Sequence, residues 1–198
     1  MKLLTQLKVA AVMTALTISS VFADAMTADE TVNTMTNDVI EIVMEAKGEE
    51  DGLSVFMPRL DELMKRYADF DWIARNIMGR HRANATPEQV EAFGERFRSV
   101  MINTYAKSFL AYNGEQVVTL PVDERYAGER RVPVRQTVEG IAGGLDVLYT
   151  MGQKSSGDWV MLNIRVNGVN LGQTYNQQFD RMMTEYGSID EVIERWGQ

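Results

Sequence analysis

The longest regular pattern of apolar and polar residues in this chain lies between Thr86 and Tyr112. Apolar and aromatic side chains recur there at steps of three and four, which places them on one face of a helix. Thr86 can cap the first turn, Pro87 suits the first helical position, and Asn113-Gly114 suits the end. About 26 residues at ~1.5 Å each give a rod of roughly 39 Å, so its apolar face needs a large partner. That face comprises Val90, Phe93, Phe97, Val100, Met101, Tyr105, Phe109 and Tyr112.

Similar spacing predicts several shorter helices on both sides of this one. Thr27 to Glu30 and Ser188 to Glu191 have the composition of capping boxes, which mark helix starts. Pro58 lies inside one of the patterns and is expected to start, kink or split that helix. The predicted ranges are 28–47, 53–67, about 70–78, 174–186 and 188–196.

Beyond Gly114 the hydrophobic period changes to two, which is the period of β-strands. Three stretches alternate strongly and 116–122 alternates weakly, with short glycine-containing breaks that suit hairpins. In the last stretch we expect Leu162 and Ile164 on the same, apolar side. The pattern predicts an α+β fold, in which several helices pack on the apolar face of a curved antiparallel meander of about four strands, with the long helix covered by that sheet. The strong stretches are 131–138, 145–151 and 158–166.

Composition indicates one exported domain. Residues 1–25 combine a basic start, an apolar run too short to span a membrane and small residues near Ala25, as in a cleaved secretory signal peptide. The single folded domain would then be residues 26–198. Cleavage of residues 1–25 would remove two lysines and one aspartate and take the formal charge from −8 to −9. Such an acidic protein lacks the basic surface of a nucleic-acid binder. With no cysteine, the fold depends on packing alone.

The residues that carry most enzyme chemistry are absent or isolated. The chain has no cysteine and one histidine, His81, and its acidic residues lack the spacing of metal ligands. Asp69 and Asp71 are interpreted as helix caps. We therefore expect no enzymatic activity, no metal and no cofactor.

Aromatic residues and 13 methionines are concentrated on the apolar faces. An ordinary filled core explains such a pattern, but flexible thioethers also suit surfaces that adapt to varied apolar ligands. Gly94 lies within the stripe of the long helix, where it leaves room against the helix face. On the residues alone both interpretations stay open.

The stretch from Tyr67 to Val117 resembles the MlaC family of periplasmic phospholipid carriers, also described as toluene-tolerance auxiliary proteins. The likeness extends from about Thr27 to Trp196, and no single piece of it is diagnostic. His81-Arg82 departs from the aromatics that members tend to carry there. The matching pieces are Phe70-Asp71, Gly79-Arg80, Thr86 to Gln89, Thr104-Tyr105-Ala106 and Tyr112-Asn113-Gly114.

The resemblance implies a carrier that shuttles glycerophospholipids across the periplasm and maintains the lipid asymmetry of the outer membrane. It implies two transient docking partners: an outer-membrane lipoprotein complex, and an inner-membrane ABC transporter with a periplasmic lipid-binding domain. We expect a monomer, and we expect the surface near Arg75, Arg80, His81 and Arg82 to contact these partners.

We place the acyl chains in a hydrophobic cavity between the long helix and the sheet. Three alternatives stay open: an interaction module with a solid core, a small enzyme of the cystatin or NTF2 type with Tyr105, Tyr149 and Asn163 at the cavity floor, and a carrier of another lipid such as a hopanoid. The expected lining residues are Phe97, Met101, Tyr105, Phe109, Val132, Val134, Val147, Tyr149, Leu162 and Ile164.

Overall fold

Six α-helices and a five-stranded sheet make up the part of the chain that the computed structural model describes, residues 26–140 and 143–198. The predicted signal peptide lies outside the described residues. The helices are α1 (Ala28–Ala46), α2 (Gly52–Tyr67), α3 (Phe70–Met78), α4 (Pro87–Leu110), α5 (Leu171–Tyr186) and α6 (Ile189–Arg195). The strands are β1 (Gln116–Thr119), β2 (Arg131–Glu139), β3 (Leu145–Gln153), β4 (Trp159–Val166) and β5 (Val169–Asn170), and short 3₁₀ segments cover Gly79–Asn84 and Glu124–Tyr126.

The helix starts follow from local capping chemistry. Thr27 and Thr86 both form complete capping boxes, with Glu30 and Gln89 respectively, as the sequence predicts. Helix α5 begins three residues earlier than expected, because the Asn170 side chain accepts the backbone N–H of Gln173. Helix α2 is one continuous helix with Pro58 inside it.

The sheet is an open antiparallel meander in which each strand pairs with the next strand of the chain, in the order β1 to β5. The predicted α+β class is therefore confirmed, with the two-residue strand β5 added at one edge. A tight turn at Asn167 and Gly168, both with positive φ, joins β4 to β5.

A bulge interrupts the alternation of side chains along β4. Tyr149 pairs with Ile164 and Met151 pairs with Met161, so the register shifts between these two pairs. A bulge places one extra residue on one strand and changes the direction of the side chains beyond it. Met161 and Ile164 therefore pack with the same group of core residues, and Leu162 does not join them. The expectation that Leu162 and Ile164 share one apolar side is wrong for this reason.

Two separate groups of buried residues form the interior. The first cluster lies between α1, α2, the end of α4 and the inner face of the sheet, and the second cluster lies between α3, the first half of α4, α5 and α6. The first cluster contains, among others, Val32, Phe56, Leu60, Ile102, Ala106, Val132, Val134, Val147, Tyr149 and Met151. The second contains Ala74, Ile77, Met78, Val90, Phe93, Phe97, Phe179, Ile189, Val192 and Trp196.

The long helix α4 is shared by the two clusters rather than laid on the sheet. Its neighbours are chiefly α2, α3 and α6, while α1, α2, α3 and α5 approach the strands. The expectation that the sheet directly covers α4 is therefore wrong: the sheet's apolar face is occupied by shorter helices. The room expected beside Gly94 is also filled, since a Cβ there would lie 3.2 Å from the carbonyl oxygen of Phe70 and 3.7 Å from Ala74 Cβ.

Candidate functional site

Four of the predicted lipid-contacting residues form one ridge along α4. Phe97, Met101, Tyr105 and Phe109 are spaced four apart, so their side chains lie one above another on the helix. Their exposure rises along the ridge, from 6% at Phe97 to 38% at Tyr105 and 40% at Phe109. Twelve residues at ~1.5 Å each make this ridge about 18 Å long. It leads from the second cluster to the protein surface.

The predicted sheet residues lie on the other side of the boundary between the clusters. Four of them are buried in the first cluster and Ile164 packs against it, whereas Phe97 belongs to the second cluster and Met101 packs against that one. The structure therefore does not bring the whole predicted set into one group. Leu162 is buried at 7% exposure and its side chain lies over Gly152. The four buried residues of the first cluster are Val132, Val134, Val147 and Tyr149.

A buried polar network lies inside the first cluster, and the sequence analysis did not identify it. Gln136 is 3% exposed, and its Nε2 donates to the hydroxyl oxygens of Thr36 at 2.8 Å and of Thr119 at 2.9 Å. The phenol of Tyr149 donates to Gln136 Oε1 at 3.1 Å. The sequence feature that points to this network is a glutamine at an inward position of β2, between Val134 and Val138. Since Thr36 belongs to α1, the network joins this helix to the sheet.

Burial determines the charge state of Tyr149. The surrounding apolar side chains disfavour the phenolate and raise the pKa of Tyr149 to about 12. The phenol is therefore a neutral donor at physiological pH. The three polar residues considered for an enzyme-like floor do not converge, because Tyr149 bonds Gln136, Asn163 bonds Asn170, and Tyr105 bonds Tyr175.

A pair of tyrosines links α4 to α5 beside the boundary of the clusters. The hydroxyl oxygens of Tyr105 and Tyr175 are 3.1 Å apart, so one phenol donates to the other. The Tyr175 ring meets the Phe97 ring edge-on, with centroids 5.1 Å apart. Burial first, and the bond to Tyr105 second, raise the pKa of Tyr175. Tyr175 packs against the second cluster, whereas Tyr105 is largely exposed on the ridge.

The expected docking surface is more strongly paired than the sequence indicates. His81 Nε2 lies 2.8 Å from Asp180 Oδ1, and an Arg80 guanidinium nitrogen lies 2.6 Å from the same oxygen. These contacts hold the 3₁₀ segment 79–84 on α5, and they lower the pKa of the Asp180 carboxyl, the His81 hydrogen bond most of all. His81 is therefore tied to α5 rather than free in an exposed loop. Arg75 and Arg82 are exposed.

Two hollows at the surface lie away from the inner face of β2 to β4. A groove of about 430 Å³ between α1 and α2 is lined largely by charged side chains, including Asp38, Arg59 and Arg66. A second hollow of about 330 Å³ lies between the start of α4 and α6. Neither of these two hollows is lined by residues of both clusters. The expected cavity between helices and sheet therefore stays a prediction, and a lipid tail there needs the two clusters to move apart.

Residues 26–140 and 143–198 contain neither a metal-binding cluster nor a membrane-spanning helix. In that part of the chain, no group of three or more histidine, cysteine or acidic side chains is placed to hold a metal ion. Over the same residues, no helix combines the length and hydrophobicity that crossing a bilayer requires.

Comparison with known proteins gives concordant matches. The family model described as MlaC protein matches residues 33–198. The toluene tolerance protein Ttg2D of Pseudomonas putida is 31% identical over 147 residues, which cover 72% of this chain. The match spans 66% of that relative, slightly less than two thirds of its length. A phospholipid-binding protein from Ralstonia solanacearum, solved in complex with a phospholipid, superposes with a TM-score of 0.76 at 26% identity over 85% of this chain and 94% of its own.

Proposed function

Because this chain belongs to the MlaC family, we propose that it is a phospholipid carrier that holds acyl chains inside the protein and has no enzymatic activity. The observation that carries this proposal is the structural likeness to a protein solved with a phospholipid bound. That likeness covers nearly all of the neighbour's chain, so it includes both the helices and the sheet.

The energetics of lipid transfer explain why such a carrier encloses its cargo. Two tails of roughly 15 methylenes each, at ~0.8 kcal/mol per methylene, cost about 24 kcal/mol when exposed to water. Apolar contacts inside the carrier must offset most of this cost. The binding free energy must not be much larger than the cost, because the carrier also has to release the lipid. Apolar packing is non-directional and supplies such a match without specific headgroup contacts.

The boundary between the two clusters is the region best suited to hold the tails. It lies beside the ridge of α4, and the first cluster extends from there past α2 to the inner face of β2, β3 and β4. The ridge is about 18 Å long, which compares with ~15 Å for one leaflet of a bilayer core. A tail that enters beside the ridge displaces side chains of both clusters, because α4 contributes Phe97 to the second cluster and Ile102 and Ala106 to the first. The predicted lining residues then face the tail from both sides, with Leu162 as the exception.

The cellular role we propose is transport of glycerophospholipid through the periplasm between the outer and inner membranes, which maintains the lipid asymmetry of the outer membrane. Its partners in this proposal are an outer-membrane lipoprotein complex and an inner-membrane ABC transporter with a periplasmic lipid-binding domain. Transport of another lipid, such as a hopanoid, uses the same apolar chemistry, and a solid-core interaction module is the competing function.

Lipid extraction and native mass spectrometry of the protein purified from its native compartment test the proposal. We expect a bound species whose mass and fragments identify a glycerophospholipid. A hopanoid would redirect the proposal to another lipid. Protein that carries no lipid, and that takes up none from phosphatidylethanolamine vesicles, would support the solid-core module instead.

A variant pair locates the tails. Phe109→Arg places a charge on the exposed end of the ridge, so we expect it to lower the amount of bound lipid several-fold. Met44→Arg is the matched control, because Met44 is 58% exposed on α1 and belongs to neither cluster. Equal lipid loads in both variants, measured by extraction from equal amounts of folded protein, would contradict the assignment.

A further inference from the structure

The tyrosine pair of α4 and α5 lies where the boundary between the two clusters reaches the surface. Tyr175 packs on the second cluster through Phe97, and its hydroxyl meets Tyr105 on the exposed part of the ridge. Resting on the proposed carrier function, we propose that Tyr105 and Tyr175 form the mouth of the acyl-chain site: bonded to each other they close it, and apart they admit the tails of a diacyl lipid between α4 and α5.

The other borders of the first cluster are held by bonds that make them poor openings. Helix α1 is joined to β2 by the buried bond from Gln136 to Thr36. The connection between α2 and α3 is joined to β4 by the backbone N–H of Asp69, which donates to the carbonyl oxygen of Met161 at 3.1 Å. In the described residues, no hydrogen bond joins α4 to a strand. The polar contacts of α4 are with neighbouring helices: Arg98 donates to Asp61 of α2 at 2.8 Å, whereas in the described residues α4 and α5 share the hydrogen bond of the tyrosine pair alone. Parting α4 from α5 at this point therefore breaks one weak hydrogen bond and no ion pair.

The contact between α4 and α5 near the mouth depends on side chains that can rotate. Asn163 accepts the backbone N–H of Gly172 at 3.1 Å and donates to Asn170, which fixes the start of α5 to β4. Tyr175, one turn further along α5, then reaches α4 only through its ring and hydroxyl. A bond between two uncharged, partly exposed phenols contributes little net free energy, so it can break and form often.

The chemistry of tyrosine also suits this position. Its ring is apolar and its hydroxyl is polar, and tyrosine is enriched where an apolar region meets water. A phospholipid has the same kind of boundary at its ester groups, where the apolar tails meet the polar headgroup region. With the pair apart, the rings lie along the tails and the hydroxyls face the polar end of the lipid.

Conservative variants test the closing bond. Tyr105→Phe and Tyr175→Phe remove one hydroxyl each and keep the rings. We expect the transfer of pyrene-labelled phosphatidylcholine from vesicles to the protein, and back, to accelerate about two- to tenfold, which is the factor for one neutral hydrogen bond. Tyr186→Phe is the matched control on the same helix, and we expect wild-type rates for it. Wild-type rates in both mouth variants would overturn the proposal.

Covalent closure tests the mouth directly. Photo-oxidation with a ruthenium bipyridine complex and persulfate removes one electron and one proton from each phenol. The two radicals then couple through ring carbons to dityrosine, while persulfate is reduced to sulfate. We expect dityrosine fluorescence in the monomeric protein and loss of lipid exchange. The same treatment of Tyr175→Phe should leave exchange intact.

The outcomes separate this proposal from the proposed function. Absence of Tyr105–Tyr175 coupling in the wild-type protein, or normal exchange after coupling, would overturn the mouth while lipid binding stands. A protein that binds no lipid in any form would overturn the carrier function itself, and the mouth with it.

Discussion

Gln136 is a polar residue at a position where the strand pattern calls for an apolar one. A buried amide is costly unless its hydrogen bonds are made, and here Thr36, Thr119 and Tyr149 supply partners. Networks of this kind favour one arrangement of neighbouring elements over alternatives, because shifted arrangements leave polar atoms unpaired. At this site the network specifies how α1 lies on the sheet.

The Tyr149 hydroxyl provides a residue-scale test of that network. Tyr149→Phe leaves Gln136 Oε1 without its donor, so we expect the free energy of unfolding to fall by about 1–3 kcal/mol. Urea denaturation followed by circular dichroism measures this change. Tyr112→Phe is the control, because its hydroxyl donates to the carbonyl oxygen of Glu115 near the surface. Equal effects of the two substitutions would show that burial of the network adds nothing.

The raised pKa of Tyr149 predicts a loss of stability in alkali. The folded pKa of about 12 exceeds the unfolded value near 10, so the folded state keeps its proton where the unfolded state loses it. The contribution of the Tyr149 phenol to the free energy of unfolding is fully present below about pH 10. It falls by roughly 2–3 kcal/mol as the pH rises to about 12. Between about pH 9 and about pH 11, the urea midpoint should therefore fall further for the wild type than for Tyr149→Phe. Parallel falls would contradict the assignment.

At the scale of elements, local chemistry was predictable and packing was not. The capping boxes at Thr27 and Thr86 and the alternation in β2 and β3 depend on neighbours in sequence, and they gave the elements and the fold class. The bulge in β4 and the position of α4 depend on contacts between distant residues. A strand pattern with Val160, Leu162 and Ile164 looks continuous in sequence, and only pairing with β3 reveals the extra residue.

The same reason explains which features of the candidate site could be predicted. The ridge of α4 follows from helical spacing, so the sequence places its four residues along one side of the helix, and their contact with lipid stays a prediction. The tyrosine pair joins residues 70 positions apart and could not be found from spacing. Sequence alone also could not divide the lining residues between two clusters, because it contains no signal for which helix covers which strand.

Close packing of α3 on α4 gives a prediction at this scale. A Cβ at Gly94 would already lie 3.2 Å from the Phe70 carbonyl oxygen, so the branched side chain of Gly94→Val must push α3 away. We expect a destabilisation of about 1–3 kcal/mol, as for other overpacked cores. Thermal unfolding of Gly94→Val measures it. Glu91→Val, at an exposed position of the same helix, is the control, and an equal or greater loss there would argue against the packing explanation.

At the scale of the whole molecule, stability depends on the two clusters because the chain has no cysteine. Trp196 is 1% exposed and contacts Phe93 edge-on at 4.9 Å, and its carbonyl accepts from Arg96. It joins α6 to the second cluster, so loss of this one side chain opens a large gap there.

Trp196→Ala should therefore lower the free energy of unfolding by about 3–5 kcal/mol, a large share of the roughly 5–15 kcal/mol of a typical domain. Guanidinium denaturation checks this value. Trp72→Ala is the matched control, because Trp72 is only partly buried and lies under the Arg131 guanidinium. A loss at Trp196 no larger than that at Trp72 would show that the second cluster contributes less than its burial indicates.

The strand order of the sheet also has a consequence for the folding route. Each strand pairs with its neighbour in sequence, so the hairpins close short loops and can form early, with a small entropic penalty. The aromatic second cluster instead joins Phe93 and Phe97 to Phe179 and Trp196, across the entire sheet region. During synthesis from the amino terminus, the ribosome releases the meander before the aromatic partners of α4. Phe93 and Phe97 stay exposed to solvent until those partners arrive. Chaperones that bind exposed aromatic residues would bind Phe93 and Phe97 in this interval, on the same helix that carries the ridge.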